Sequence, residues 1–251
     1  MLINKFNFSK ILTTETHPLD HWKNHSHNEP GDPVMGHTEP LKNGKGSCIE
    51  AVEKWHEWLF RIPASIHPNL VPPASSYKAE SAGYQNPVLV EGNNVSMVTF
   101  VPLKKKEDNI VTLQIHKDTV HDTAHILLGV MTAEACTEEY PSKISDSELW
   151  DMVKKETDSV KEIKFNIDGI ERVGCFVERQ NRLEISNVAN ENLMGIKPVN
   201  MKPNNTIGIV YSGFWALLDV ERLGAGDHLI MVEATGPTYF IGATIALNIL
   251  I

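Results

Sequence analysis

The chain has 251 residues and a formal charge of −9, with a pI near 5.6. That balance excludes a sequence-independent binder of phosphate backbones, which needs a basic patch, and the expected partners include no nucleic acid. The length suffices to bury a real core. The three cysteines, Cys48, Cys136 and Cys175, stand far apart without CxxC spacing, which excludes a disulfide framework but leaves one bridge plus a free thiol open.

In chain order, the start carries no apolar segment followed by a small-residue cleavage site, so the expectation is a cytoplasmic chain unless a leader has been removed. Residues 1–12 read as a short strand or an arm that packs on another subunit, with Phe6, Phe8 and Ile11 as its apolar side chains. From Thr13 to Gly46 periodicity is lost and the chain reads as a long His- and Pro-rich loop. His17, His21, His25, His27 and His37 lie there with Asp20, Glu29, Asp32 and Glu39 between them, but their spacing closes no metal site. Pro18 and Pro30 bracket a window in which His21 and His25 would share a helical face. The boundary is drawn at residue 46, with one β-rich domain over 47–251.

Ser47-Cys48-Ile49-Glu50 reads as a capping box opening a helix near 47–60, with Val52, Trp55 and Leu59 inward. Cys48 would feel the dipole of that helix start, which lowers a thiol pKa, but no base is placed beside it by the sequence. Trp55 and Trp58 are three apart on the helix and would offer flat faces to a sugar or aromatic ligand, with Trp215 as a third ring. The competing reading is that they anchor the helix to a sheet.

Residues 66–82 are Pro- and Ser-rich loop. Strands follow at Pro87–Glu91 and Asn94–Leu103 around a Gly92-Asn93 turn, then at Ile110–Ile115 and Ala124–Ala133. His116, His121 and His125, with Glu134, are the candidate ligands for zinc or a similar divalent metal, although the β-like flanks place the histidines on a turn and a strand start. Ser145-Asp146-Ser147-Glu148 is a second capping box, opening a helix near 145–157 with Leu149, Met152 and Val153 inward. Asp168-Gly169 marks a two-residue hairpin between Ile163–Ile167 and Ile170–Val177.

Ile207–Leu247 is the organising stretch, read as three core strands joined by tight turns, with the break between the first two at Ser212-Gly213. Phe240–Ile251 is too short to cross a bilayer and reads as a terminal core strand. Many short strands between turn signals imply an all-β protein, a sandwich or jelly-roll-like body with two peripheral helices and long loops.

Several pieces together resemble a family of bacterial proteins, many of them exported. They are Trp55-x-x-Trp58-Leu59-x-x-Ile62-Pro63 before His67-Pro68, Gln85-x-Pro87, Ala133-Glu134-Ala135-Cys136, Ser145 to Leu149, and Ser212-Gly213-Phe214-Trp215 before Gly226-Asp227-His228-Leu229-Ile230. The resemblance covers about residues 50–235 and implies a β-rich fold with no assigned activity. The chain departs from the pattern at Ser212-Gly213-Phe214-Trp215, which lacks its aspartate, and near Tyr77, which lacks the cysteine that would pair with Cys136.

Three functional expectations follow. The first is a non-enzymatic binding or self-assembling structural protein, a homo-oligomer or larger assembly that uses its loops and apolar arm. The second is a metal-dependent, hydrolase-like enzyme, and the third a module for a glycan or other small molecule on the tryptophans.

Overall fold

A computed structural model describes residues 19–24, 31–42, 44–67, 88–99, 110–115, 123–140, 143–196, 204–237 and 240–249. His17, His25, His27, His116, His121 and the arm at 1–12 lie outside the described residues.

Among the described residues, ten strands form two five-stranded sheets. They are β1 (Val88–Val90), β2 (Asn93–Thr99), β3 (Ile110–Ile115), β4 (Thr123–Cys136), β5 (Glu162–Ile167), β6 (Ile170–Glu171), β7 (Cys175–Ile185), β8 (Ile207–Asp219), β9 (Gly226–Thr235) and β10 (Phe240–Ile249). The first sheet runs β1-β2-β4-β8-β7 and the second β3-β10-β9-β5-β6. Four described helices accompany them: α1 (Asp20–Asn24), α2 (Cys48–Arg61), α3 (Asp146–Asp158) and α4 (Val220–Leu223). The all-β sandwich body expected from the sequence is present.

One core lies between the sheets, where Ile126, Leu128, Phe214 and Leu218 of the first sheet meet Phe165, Ile230, Val232 and Ile245 of the second. Leu149 and Val153 of α3 close part of it. Trp22 of α1 joins it too, its ring edge-on to Phe214 at 5.7 Å and tilted against Phe165 at 6.4 Å. The opposite face of the first sheet packs under α2 through Val52, Trp55 and Leu59, against Leu127, Val177, Tyr211 and Trp215.

Covered on both faces, β8 has no polar side to show. Its residues 207–218 are all buried, the continuous apolar pattern of a doubly covered strand. This corrects the expected break at Ser212-Gly213, because the strand runs through it. Between β8 and β9 the short helix α4, capped by Asp219 accepting from the Glu221 and Arg222 amides, carries the chain from one sheet to the other. The expected tight turn is therefore a crossover, while β9 and β10 do pair antiparallel.

Both expected helices form. Ser145 and Glu148 complete their capping box, whereas at α2 the Ser47 hydroxyl accepts from the Glu50 amide and the Glu50 carboxylate turns instead to the Glu91 backbone. Met152, expected inward, is exposed and accepts a hydrogen bond from the Tyr140 hydroxyl. The Asp168-Gly169 hairpin turn has both residues at positive φ, 54° and 83°, the type I′ geometry its sequence demands. Glu91-Gly92 makes the same kind of turn one residue earlier than expected, at 43° and 88°.

Part of the segment expected as loop before residue 46 belongs to the body. Leu19, Trp22, Val34, Met35 and Leu41 are buried. The Met35 amide donates to the Leu217 carbonyl at 2.8 Å and the Asp219 amide to the Pro33 carbonyl at 2.8 Å. Residues 33–35 thus lie beside β8 just beyond the first β7–β8 pair, Cys175 with Trp215.

Candidate functional site

β5 alternates strictly, with Ile163, Phe165 and Ile167 buried between the sheets and Glu162 and Lys164 exposed on the outer face. Along one side it pairs with β9 over its whole length. Along the other, among the described residues, β6 pairs only with Asn166 and Ile167, and the Arg172 amide donates to the Phe165 carbonyl at 2.7 Å. Ile163 stands two residues earlier, so its N–H and C=O point to that same side. Among the described residues the first half of β5 is thus an open sheet edge, the kind of backbone template that accepts another strand.

A cleft of about 500 Å³ runs beside this edge. Leu19 and His21 line it, with Glu171 of β6 and Met231 and Glu233 of β9. Met231 is 41 % exposed, and Leu229 on the same outer face is 47 % exposed, so apolar surface stands near the backbone donors. Lys161, Lys164 and Glu162 also line the cleft. Lys164 bridges Glu162 at 3.5 Å and Glu233 at 3.8 Å, so the rim carries both signs on a chain of charge −9.

The residues singled out from the sequence lie elsewhere. Trp55, Trp58 and Trp215 are 1 %, 7 % and 0 % exposed, which corrects the expected stacking platform: no ring presents an open face to a sugar. Trp55 donates its indole N–H to the Val98 carbonyl at 3.1 Å and stands edge-on to Trp215 at 6.5 Å, while Trp58 packs against His67 at 4.5 Å. Trp55 and Trp58 are buried with first-sheet residues in one core, as the competing reading given above has it, and Trp215 belongs to the sheet itself.

Of the expected metal set, the two described members, His125 and Glu134, are not brought together. His125 and Glu134 sit at opposite ends of β4, beside Asp219 and Tyr211 respectively, roughly 30 Å apart at the rise of a strand. His116 and His121 lie outside the described residues. Among the described residues no group of three His, Cys, Asp or Glu side chains is arranged to hold a metal ion, and no helix is long and apolar enough to cross a membrane.

Glu134 is nonetheless unusual. It shares a cross-strand row with Tyr211 and Arg179 on the face under α2, and its Oε2 is buried without a hydrogen-bond partner. Burial, opposed by a hydrogen bond from Thr132, pushes its pKa up to about 7. Above the same row, His56 stacks on Tyr211 at 4.1 Å and donates from Nδ1 to the Val52 carbonyl at 2.8 Å. Burial brings its pKa down to about 3, which keeps the imidazole neutral. Glu53 of α2 pairs with Arg179 at the edge of this row.

Sequence reasoning identified β5 as a strand and missed its open edge. The alternation Glu162, Ile163, Lys164, Phe165 signals one buried face, but which side lacks a neighbour is decided by β6, whose two residues are too few to cover it. Compared with known proteins, the chain matches no family model, no curated protein and no solved structure.

Proposed function

We propose that the chain is a non-enzymatic, self-assembling structural protein that pairs with a second copy of itself along the first half of β5. The observation that carries this reading is the edge at Ile163, unpaired among the described residues, beside a cleft that Met231 helps to line. Its charges are self-complementary. In an antiparallel pair with a two-fold axis at Ile163, Glu162 faces Lys164 of the partner subunit, and Lys164 faces the partner's Glu162. Such isologous closure is the commonest symmetry of homo-oligomers, and opposite charges directly across a strand pair stabilise it by about 0.2–1 kcal/mol each.

The two Ile163 residues then exchange both N–H···O=C bonds. Met231 and Leu229 supply apolar area at the rim, and their burial is worth about 25 cal/mol per Å². So short an edge makes a reversible interface, with association expected roughly at micromolar concentration.

Sedimentation velocity over a wide concentration range tests this together with amide exchange at Ile163. A monomer–dimer equilibrium, with the Ile163 amide slowing as dimer accumulates, is the expected result. A monomer at all concentrations, with that amide exchanging freely, contradicts it.

A further inference from the structure

The chain enters the described region at Leu19, and that entry point is fixed. The Leu19 carbonyl accepts from the Trp22 and Lys23 amides at 3.0 and 3.3 Å. The Leu19 and Trp22 side chains are buried between the sheets, and Lys23 bridges Asp158 of α3 at 3.3 Å. Leu19 also lines the cleft beside β5, so the chain that precedes it starts from the cleft. Residues 1–12 carry Leu2, Ile3, Phe6, Phe8, Ile11 and Leu12, more apolar surface than a terminal segment keeps in water without something to cover it.

On the outer face of the second sheet, Leu229 and Met231 stand exposed because β9 alternates and turns Ile230 and Val232 inward. Their cross-strand neighbours on β10, Ala246 and Thr244, are too short to cover them. Leu229 and Met231 are two residues apart, roughly 7 Å along a strand, and Phe6 and Phe8 have the same spacing on one side of an extended segment. Leu19 lies 11 positions after Phe8, a reach of up to roughly 40 Å, while β9 measures about 33 Å over its 10 residues. Charge points the same way. Residues 1–12 hold Lys5 and Lys10 and no acidic side chain, and around the cleft Glu162, Glu171 and Glu233 outnumber Lys161 and Lys164.

We propose that residues 1–12 seat in this cleft on their own chain, with Phe6 and Phe8 against Met231 and Leu229 and the two lysines toward the glutamates. On the reading that β5 pairs two copies, on which this part rests, the seated segment covers the apolar rim that pairing uses and has to be displaced first. It is thus an internal competitor that sets the concentration at which copies associate. A tether of this kind holds the segment at an effective concentration of about a millimolar, far above the roughly micromolar one at which copies pair. The sequence expectation of an arm packing on another subunit becomes an arm on its own subunit.

The test replaces Phe8 in the full chain with the photoreactive p-benzoylphenylalanine, which inserts into nearby C–H bonds. An equal mixture of unlabelled and isotope-labelled chains is irradiated well below the concentration of pairing, and the links are mapped by mass spectrometry. Links within one chain from position 8 to residues 229–233 are expected. No link to β9, or links only between chains, overturn the seating. In parallel, the double variant Phe6→Ser, Phe8→Ser is compared with wild type by sedimentation velocity, and its midpoint of association is expected about tenfold lower. Unchanged or weaker association in the variant overturns the competition. Wild type and variant both monomeric throughout would instead remove the β5 pairing and the competition with it, while the cross-link still decides the seating.

Discussion

A Cβ placed on Gly213 would lie 2.6 Å from the Met131 carbonyl oxygen and 2.9 Å from the Thr132 Cα. Both neighbours are backbone of β4 and cannot rotate away, so Gly213→Ala is expected to destabilise the fold by about 1–3 kcal/mol in denaturant titrations. At Gly129 the space is filled by Trp55, whose Cζ2 would be 2.8 Å from a Cβ, so the same substitution there displaces the ring that anchors α2. Glu134 makes a prediction of opposite sign. Its folded pKa of about 7 lies above the ordinary 4.5, so the native state holds its proton more tightly. Its contribution is fully present below the ordinary value and is lost as pH rises toward 7. Glu134→Gln should remove that loss and stabilise the protein by about 1–3 kcal/mol at pH 8, with little change at pH 4. His56 and His67, lowered by burial to about 3 and about 4, act the other way. Their contribution is present above 6.5 and is lost as pH falls through those values, so the Glu134 effect is read as a difference between variant and wild type at each pH.

At the scale of elements, the helix starts were legible because capping is local. Ser47 and Ser145 each accept from the amide three residues on, and Ser47→Ala is expected to cost about 1 kcal/mol in equilibrium unfolding. The Asp168-Gly169 hairpin was legible for the same reason, since positive φ at both positions selects its residues. What stayed hidden depends on neighbours far away in sequence. Ser212-Gly213 looked like a strand break, yet Gly213 is where β8 passes close to β4. Trp55 and Trp58 carry flat faces in any sequence, and only the packing of α2 on the first sheet decides that they point inward. The open side of β5 is likewise a property of β6 being two residues long.

For the whole molecule, burial is uneven. The first sheet is covered on both faces, by α2 and by the second sheet, while the second sheet leaves Leu229 and Met231 exposed on its outer face. The cleft and open edge of β5 are on this less protected side, where strand addition disturbs no core. Charge reversal tests the pairing directly, because the intramolecular bridges of Lys164 are exposed and contribute little to folding. The decisive measurement is sedimentation velocity on wild type, Glu162→Lys, Lys164→Glu and the double swap at matched concentrations. Two-fold pairing at Ile163 requires that wild type and the double swap self-associate and that both single variants, which set like charges opposite one another, remain monomeric. Association unchanged across all four proteins, or absent from wild type, would contradict edge pairing through β5.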